Sequence, residues 1–215
     1  MRLASAVTST VLASALLFSA IPAAQAAPDK DLSAIESSQL TDASSMLALI
    51  NPTTKLSPEN YTPSKLVNVA GTGMQLRSEA AKAVEQLITD ARAAGHSIHL
   101  LSAYRSYERQ AALFNQYQTK YGTAYAERIS ARPGTSEHQL GLAADLGYTN
   151  SQAELKSAFG QTPAGIWIAK HAVEYGLIIR YPDGKEEITG YKYEPWHVRY
   201  IGKEHAKALA QSGAE

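Results

Sequence analysis

The chain has 215 residues with 20 basic and 20 acidic side chains, so its formal net charge is zero. This balance argues against a nucleic-acid-binding protein, which needs a strongly basic face, and against attachment to membranes through basic residues. Cysteine is absent, which excludes disulfides and thiolate zinc sites, so any bound metal must use nitrogen and oxygen ligands.

The first 26 residues predict an export signal. Arg2 provides a positive start, residues 7–20 form an apolar run, and Ala-Gln-Ala at 24–26 offers a cleavage point with small residues. A membrane anchor is the weaker interpretation, because the apolar run is shorter than the ~20 residues that span a bilayer and Pro22 follows it. We therefore expect export to the periplasm, or to the extracellular space and cell wall, with no stable membrane anchor after cleavage.

A leader and one domain are predicted after the signal. Residues 27–45 are rich in Ser, Asp and Ala and are predicted to be flexible, whereas residues 46–215 are long enough for a single domain with a sizeable core. Pro52, Pro58 and Pro63 predict an extended, irregular path at the start of that domain.

Capping residues and helical spacing predict four helices in the domain. They span residues 78–94, 106–121 and 162–176, with a short one from 202 onward. Ser78 and Ser106 are predicted as the caps of the first two helices. The second helix is predicted to carry on one face Ala111, Phe114, Tyr117 and Tyr121.

Short apolar runs predict strands at 98–101, 142–146 and 177–181, and the chain is predicted to return through 188–200 after a turn at 182–184. Helices come early and hairpin-connected strands come late. This order predicts an α+β fold, in which a small antiparallel sheet has flanking helices.

Four residues in two distant segments predict a catalytic zinc site. His138 precedes Asp145 by seven positions, and Glu194 precedes His197 by three. Two imidazoles and one carboxylate leave a zinc coordination position open for water, as catalytic sites do and structural sites do not. The remaining carboxylate can handle protons, which predicts metal-assisted hydrolysis.

The spacing of His138 and Asp145 requires a bend. On one helix they would lie about 10 Å apart along the axis, too far for one ion whose ligand bonds are ~2 Å long. Gly141 lies between them and is predicted to supply the bend. Asp145 then falls in an apolar strand, where an ionised carboxylate is costly unless it is paired or binds a metal.

Glu194 and His197 would face opposite sides of a regular strand. Pro195 disfavours a regular strand and permits a kink that brings both side chains into one cleft. Glu194 is predicted to be the general base on the attacking water and to pass the proton to the leaving amine. Three aromatic residues are expected to exclude water and raise its pKa: Tyr193, Trp196 and Tyr200.

The remaining histidines are interpreted as structural or solvated: His96, His99, His171 and His205. A lone histidine is more often of this kind than a metal ligand. The two motifs together indicate more than either alone, because four chemically matched residues must coincide.

Residues 136–145 and 194–200 resemble the zinc motifs of the VanY-type D-alanyl-D-alanine carboxypeptidases, within the LAS group of peptidoglycan metallopeptidases. Residues 101–110 and 180–191 also resemble segments of that family, and the likeness covers roughly residues 46–203. The resemblance implies the LAS/hedgehog-like metallopeptidase fold. One departure is Ala103, where the family usually has glycine, and it adds only a methyl group.

The resemblance implies that three residues bind Zn²⁺: His138, Asp145 and His197. Glu194 would be the catalytic base, and Arg105 would stabilise the oxyanion at the scissile carbonyl, a role that suits a permanently charged guanidinium. The alternative for Arg105 is a structural ion pair at a strand end. Ser136 and Gln110 would orient the substrate.

The implied substrate is the peptide stem of peptidoglycan. The first hypothesis is a D,D-carboxypeptidase that removes the terminal D-alanine of pentapeptide stems. Alternatives are an L,D-carboxypeptidase acting on tetrapeptide stems and a D-Ala-D-Ala dipeptidase, although the export signal disfavours a cytoplasmic dipeptidase. A wall-binding module with a structural zinc is a further alternative, and Glu194 argues against it because a structural site needs no base.

Overall fold

A computed structural model describes residues 32–148 and 155–213, so the predicted export signal lies outside the described residues. The helices of this part are α1 Ser37–Thr41, α2 Ser78–Ala93, α3 Tyr107–Tyr121, α4 Thr123–Ile129, α5 Pro163–His171, α6 Glu186–Thr189 and α7 Lys203–Ser212. The strands are β1 Val67–Asn68, β2 Gln75–Leu76, β3 His99–Ser102, β4 Ala143–Gly147, β5 Leu177–Ile179 and β6 His197–Tyr200. None of these helices is long and apolar enough to cross a membrane.

The centre of the fold is a four-stranded antiparallel sheet in the order β3-β4-β6-β5. β1 and β2 form a separate two-stranded hairpin. Strand β4 is buried along its whole length, because β3 and β6 pair with its two edges and helices cover the sheet. This arrangement confirms the predicted α+β fold with a small antiparallel sheet and flanking helices.

Helix α2 supplies much of the packed interior. Its buried residues recur at helical spacing and are Ala80, Ala81, Ala83, Val84, Leu87, Ile88 and Ala91. It packs against α5 and against the short 3-10 turn that follows α5. The predicted helix is confirmed, but its N-cap position is Arg77, so Ser78 is its first residue and not its cap.

Two predicted segments gain detail in the structure. Phe114 is buried on the predicted face of α3, whereas Tyr121 on that face is 47% exposed. The return through residues 188–200 contains the end of one short helix and one short strand. Helix α6 ends at Thr189, and strand pairing begins only at His197, since Pro195 interrupts the extended path.

The described part of the predicted flexible leader contains ordered structure. Helix α1 lies within it, and Ala43 is buried in the main core together with Ala48 and Ile50. The apolar residues of this stretch are few and scattered and give no periodic signal, which is why the composition of residues 27–45 did not indicate this packing.

Gly141 makes the predicted bend between His138 and Asp145. It has a φ of 66° and ends the 3-10 helix Glu137–Leu140, after which β4 begins. A Cβ at this position would lie 2.9 Å from Cδ2 of Leu66. The left-handed backbone therefore favours glycine at this position, and a Cβ would also require the end of the Leu66 side chain to move.

Gly141→Ala is expected to lower the melting temperature of the metal-free protein by about 4–8 °C. The left-handed conformation alone costs roughly 1–2 kcal/mol, contact with Leu66 adds to that, and about 1 kcal/mol shifts Tm by ~2–4 °C in a chain of this length. Gly73→Ala is the matched control, because Gly73 has a φ of 69° and open space around it. Thermal unfolding of both variants tests this expectation, which fails if Gly141→Ala costs no more than Gly73→Ala.

Candidate active site

A cavity of about 620 Å³ lies beside the pair of strands β4 and β6. Its volume is within the range of roughly 300–1,000 Å³ that is typical of small-molecule sites. Its lining includes six of the predicted site residues: Arg105, Ser136, His138, Asp145, Glu194 and His197. The fold therefore brings residues from distant parts of the chain to one concave surface.

Three buried side chains in this cavity could hold a metal ion. His138, Asp145 and His197 each offer one ligand atom, and these atoms lie within 4.8 Å of one another. The Asp145 carboxylate lies between the two rings, with Oδ2 3.2 Å from Nε2 of His138 and Oδ1 3.0 Å from Nδ1 of His197. Within residues 32–148 and 155–213, no other such group occurs, so the other histidines do not form one. Two imidazoles and a carboxylate fit a catalytic zinc site.

The backbone explains why these three residues meet. Asp145 and His197 are direct partners in the antiparallel register of β4 and β6, so their side chains leave the sheet side by side. The bend at Gly141 then returns the 3-10 helix over the same face, which places His138 against the carboxylate. The sheet supplies two candidate ligands and the bend supplies the third.

Each histidine has a hydrogen-bond partner on its other ring nitrogen. Nδ1 of His138 lies 2.7 Å from the carbonyl oxygen of Ala103, and Nε2 of His197 lies 3.2 Å from Oε2 of Glu137. Such partners orient metal-binding imidazoles and fix which nitrogen carries the proton. The two rings therefore face Asp145 through different nitrogens, Nε2 in His138 and Nδ1 in His197.

Glu137 is itself held by two arginines. Its Oε1 accepts hydrogen bonds from Nη1 of Arg199 at 2.6 Å and from Nε of Arg180 at 2.9 Å. Burial alone would raise the pKa of Glu137, but the two guanidinium groups and His197 hold this pKa well below its usual range. Arg199 also donates to the carbonyl oxygens of Met46 and Ala48.

The pKa values of the three donor side chains reflect competition between burial and charge. Burial would raise the pKa of Asp145, but the two histidines hold it well below its usual range. Burial lowers the pKa of His138. For His197, burial acts in the same direction but is outweighed by hydrogen bonds to Asp145 and Glu137, which raise its pKa to about 9. Asp145 is therefore ionised at neutral pH, as a metal ligand must be.

Glu194 faces the same cavity without joining the group of three. The backbone N–H of His197 donates to the carbonyl oxygen of Glu194, which closes the predicted kink at Pro195. Oε2 of Glu194 then lies 4.0 Å from Nδ1 of His197. Burial is the main reason why the pKa of Glu194 is raised to about 7, while His197 opposes the shift and Asp145 adds to it.

The aromatic residues around Glu194 differ in part from those predicted. The cavity is lined by Tyr181, Tyr191, Tyr193 and Trp196. Tyr200 is not among its lining residues, because it packs against the main hydrophobic core.

Arg105 lines the cavity and is held by neutral groups. Its Nη1 donates to Oε1 of Gln110 at 2.8 Å and its Nη2 donates to Oγ of Ser102 at 2.9 Å. These contacts differ from the alternative of a structural ion pair at a strand end. The backbone N–H of Arg105 also donates to the carbonyl oxygen of His138, which links this residue to the bend.

Gln110 lies behind Arg105 and not in the cavity. Its side chain is fully buried, and its amide nitrogen donates to Oγ of Ser130 and to the carbonyl oxygen of Ala131. Its amide oxygen is used by Arg105. This placement corrects the prediction that Gln110 orients the substrate, because the side chain contacts Arg105 instead.

Sequence reasoning assigned no role to Glu137, Arg180 or Arg199. All three lie within or beside the recognised motifs, and Glu137 and Arg199 are each about 2% exposed. Arg180 and Arg199 gave one signal in the sequence, because charged residues in apolar segments require partners of opposite charge. The pairing itself joins residues more than 40 positions apart, so no local pattern indicates it.

Comparison with known proteins identifies the family. The family model described as VanY, D-alanyl-D-alanine carboxypeptidase, matches residues 73–203. The Bacillus subtilis (strain 168) protein named putative carboxypeptidase YodJ is 42% identical over 172 residues, which cover 76% of this chain and 63% of that protein. The chain thus spans less than two thirds of the length of this relative.

Solved structures show the same fold. The LdcB LD-carboxypeptidase superposes with a TM-score of 0.72 at 40% identity, over 80% of this chain and 83% of that chain. The vancomycin-resistance D,D-pentapeptidase VanY, solved with Zn(II), superposes with a TM-score of 0.66 at 29% identity, over 80% of this chain and 96% of that chain. On the combined evidence of its fold, its cavity and these matches, the chain belongs to the VanY family of D-alanyl-D-alanine carboxypeptidases.

Proposed function

We propose that this protein is an exported zinc-dependent carboxypeptidase that releases the C-terminal D-alanine of peptidoglycan stem peptides. The observation that carries the proposal is that three buried metal donors share one cavity with a separate carboxylate, Glu194, and a guanidinium, Arg105. His138, Asp145 and His197 would hold the zinc ion. Zn(II) in the related VanY structure supports this choice of metal.

The chemistry divides between the metal and three groups of the chain. Zinc, when bound, supplies a Lewis acid that polarises the scissile carbonyl and lowers the pKa of water. Glu194 takes the proton from the attacking water and passes it to the amine of the departing D-alanine. Its pKa of about 7 suits both steps, because the group can accept and release a proton near neutral pH.

Arg105 is the third catalytic group in this proposal, after the zinc ion and Glu194. Its guanidinium is fixed by Gln110 and Ser102, so it is already oriented toward the cavity before substrate arrives. A preorganised cation stabilises the negative charge that develops on the carbonyl oxygen during attack. Ser136 lines the same cavity and is proposed to orient the peptide.

Two specificities remain candidates for this site. The description of the matched family model, D-alanyl-D-alanine carboxypeptidase, favours the D,D-carboxypeptidase that acts on pentapeptide stems. One observation favours the L,D-carboxypeptidase that acts on tetrapeptide stems, since identity to the LdcB LD-carboxypeptidase is 40% whereas identity to the VanY D,D-pentapeptidase is 29%. Both reactions release a terminal D-alanine and use the same catalytic groups.

Mass spectrometry with defined substrates tests the proposal. The purified protein is incubated with pentapeptide stem, tetrapeptide stem and free D-Ala-D-Ala, each with and without a zinc chelator. We expect chelator-sensitive loss of one D-alanine from a stem peptide. The pentapeptide indicates D,D activity and the tetrapeptide indicates L,D activity.

Two results would contradict this function. Cleavage of free D-Ala-D-Ala alone would make the protein a dipeptidase. Absence of cleavage in all three substrates, with zinc bound in stoichiometric amount, would favour the wall-binding module.

A further inference from the structure

Glu137 connects His197 to two arginines through the two oxygens of one carboxylate. Oε2 lies 3.2 Å from Nε2 of His197, whereas Oε1 accepts hydrogen bonds from Arg180 and Arg199. The side chain of Glu137 is 1% exposed, and that of Arg199 is 3% exposed. Water has little access to this network, so each hydrogen bond depends on its protein partner.

Because the arginines use Oε1 of Glu137 and the His197 ring uses Oε2, this carboxylate determines which nitrogen of the ring carries a proton. A carboxylate flanked by two guanidinium groups is ionised and can only accept hydrogen bonds. The ring must therefore direct an N–H at Oε2, which puts a proton on Nε2. Nδ1, which faces Asp145 at 3.0 Å, is then the nitrogen that gives up its proton when a metal binds.

We propose that Glu137 is a positioning residue for the metal site, which keeps His197 in the form that is protonated on Nε2 and binds zinc through Nδ1. This inference rests on the proposed function, because it assumes that His197 is a zinc ligand. Arg180 and Arg199 act through Glu137, since they occupy Oε1 and leave Oε2 for the ring. His138 needs no such residue, because a backbone carbonyl of Ala103 performs the same task there.

Glu137→Gln is expected to favour the form of the His197 ring that cannot bind zinc through Nδ1. Both guanidinium groups need an acceptor, so the amide oxygen is expected to remain with Arg180 and Arg199. The amide N–H₂ then faces Nε2 of His197 and donates to it, which favours the ring protonated on Nδ1. A carboxylate-to-amide change beside a catalytic histidine has the same consequence in serine proteases, where the geometry is retained and the wrong tautomer is favoured.

Glu137→Asp separates this role from simple packing. Aspartate is shorter by one methylene group but still only accepts hydrogen bonds, whereas glutamine keeps the size and loses that property. If Glu137 fixes the tautomer, zinc affinity falls in the order wild type, Glu137→Asp, Glu137→Gln. If Glu137 only fills space, Glu137→Gln remains close to wild type and Glu137→Asp is the weaker binder.

The test measures zinc affinity and ring protonation, and neither readout requires turnover. Competition with a chromophoric chelator gives Kd for zinc, and ¹⁵N NMR of histidine rings in the zinc-loaded protein shows which nitrogen carries the proton. We expect Glu137→Gln to bind zinc about 10–100-fold more weakly, the usual effect of losing an outer partner of a metal ligand. In the wild type, we expect His197 to be protonated on Nε2 and His138 on Nδ1.

The controls separate this inference from the proposed function. Glu79→Gln makes the same change in another carboxylate that pairs with an arginine, Arg77, and should leave Kd for zinc unchanged. Thermal unfolding of the metal-free variants shows that they are folded. If Glu137→Gln does not fold, ring protonation in the zinc-loaded wild type carries the test, and a His197 ring protonated on Nδ1 would overturn the role of Glu137.

The zinc measurements distinguish failure of the proposed function from failure of the role of Glu137. A wild-type protein that binds no zinc would refute the proposed function. A wild type that binds zinc, together with a folded Glu137→Gln of equal affinity and unchanged ring protonation, would overturn the role of Glu137 alone.

Discussion

Glu194→Gln is expected to lower kcat by about 10²–10⁴-fold, the range that general acid–base groups contribute, while the protein keeps its zinc. The amide cannot accept a proton from water or return one to the leaving amine. Glu194 lies outside the group of three donors, so its replacement should leave metal binding intact. Steady-state kinetics on the preferred stem peptide and metal analysis of the same sample check the two parts together.

An exposed carboxylate provides the matched control for this variant. Glu187 lies on the surface of α6, and Glu187→Gln makes the same chemical change away from the cavity. Its kcat should equal that of the wild type. Unchanged kcat in Glu194→Gln would refute the proposed base, and loss of zinc in that variant would mean that Glu194 also supports the metal.

Asp145→Asn is expected to remove stoichiometric zinc and, with it, detectable peptidase activity. Asp145 is the anionic member of the donor group and lies between both imidazoles. Its replacement leaves two neutral ligands and an amide, which is a poor ligand for zinc. Changes to outer partners already cost about 10–100-fold in metal affinity, so loss of a direct ligand should cost more.

Metal analysis after gel filtration, together with Kd from chelator competition, measures this effect. Asp183→Asn is the control, because Asp183 is exposed in the turn before α6. Thermal unfolding of the metal-free proteins shows whether the variant is folded. Full zinc content in a folded Asp145→Asn would mean that Asp145 is not a ligand.

The sequence predicted the candidate metal donors because their signal is local. Two short motifs contain His138, Asp145, Glu194 and His197, and the bend and the kink that these spacings require are present at Gly141 and Pro195. The requirement that His138 and Asp145 bind the same ion predicted the bend between them, since two ligands seven positions apart on a straight helix cannot reach one ion. Helices α2, α3 and α5 were also predictable, because each has a regular apolar pattern or a clear capping residue.

The groups that support these residues were not predictable from local patterns. Gln110 was predicted from the sequence to contact the substrate, but its amide group forms hydrogen bonds with Arg105, Ser130 and Ala131 instead. Glu137 contacts Arg180 and Arg199 because the pairing of β5 with β6 places both arginines next to it in the folded structure. Such contacts depend on the tertiary structure, so a single sequence gives little sign of them.

The direct pairing of Asp145 with His197 has a consequence for how the sheet assembles. Strands β4 and β6 are buried on both faces over most of their length, so alternation of apolar and polar residues cannot select their alignment. A slip by one residue would turn the His197 ring to the opposite face and leave the buried Asp145 carboxylate with His138 as its one remaining imidazole partner, which is costly for a buried anion. The residues that form the proposed metal site therefore also select the correct strand alignment from nearly equivalent ones.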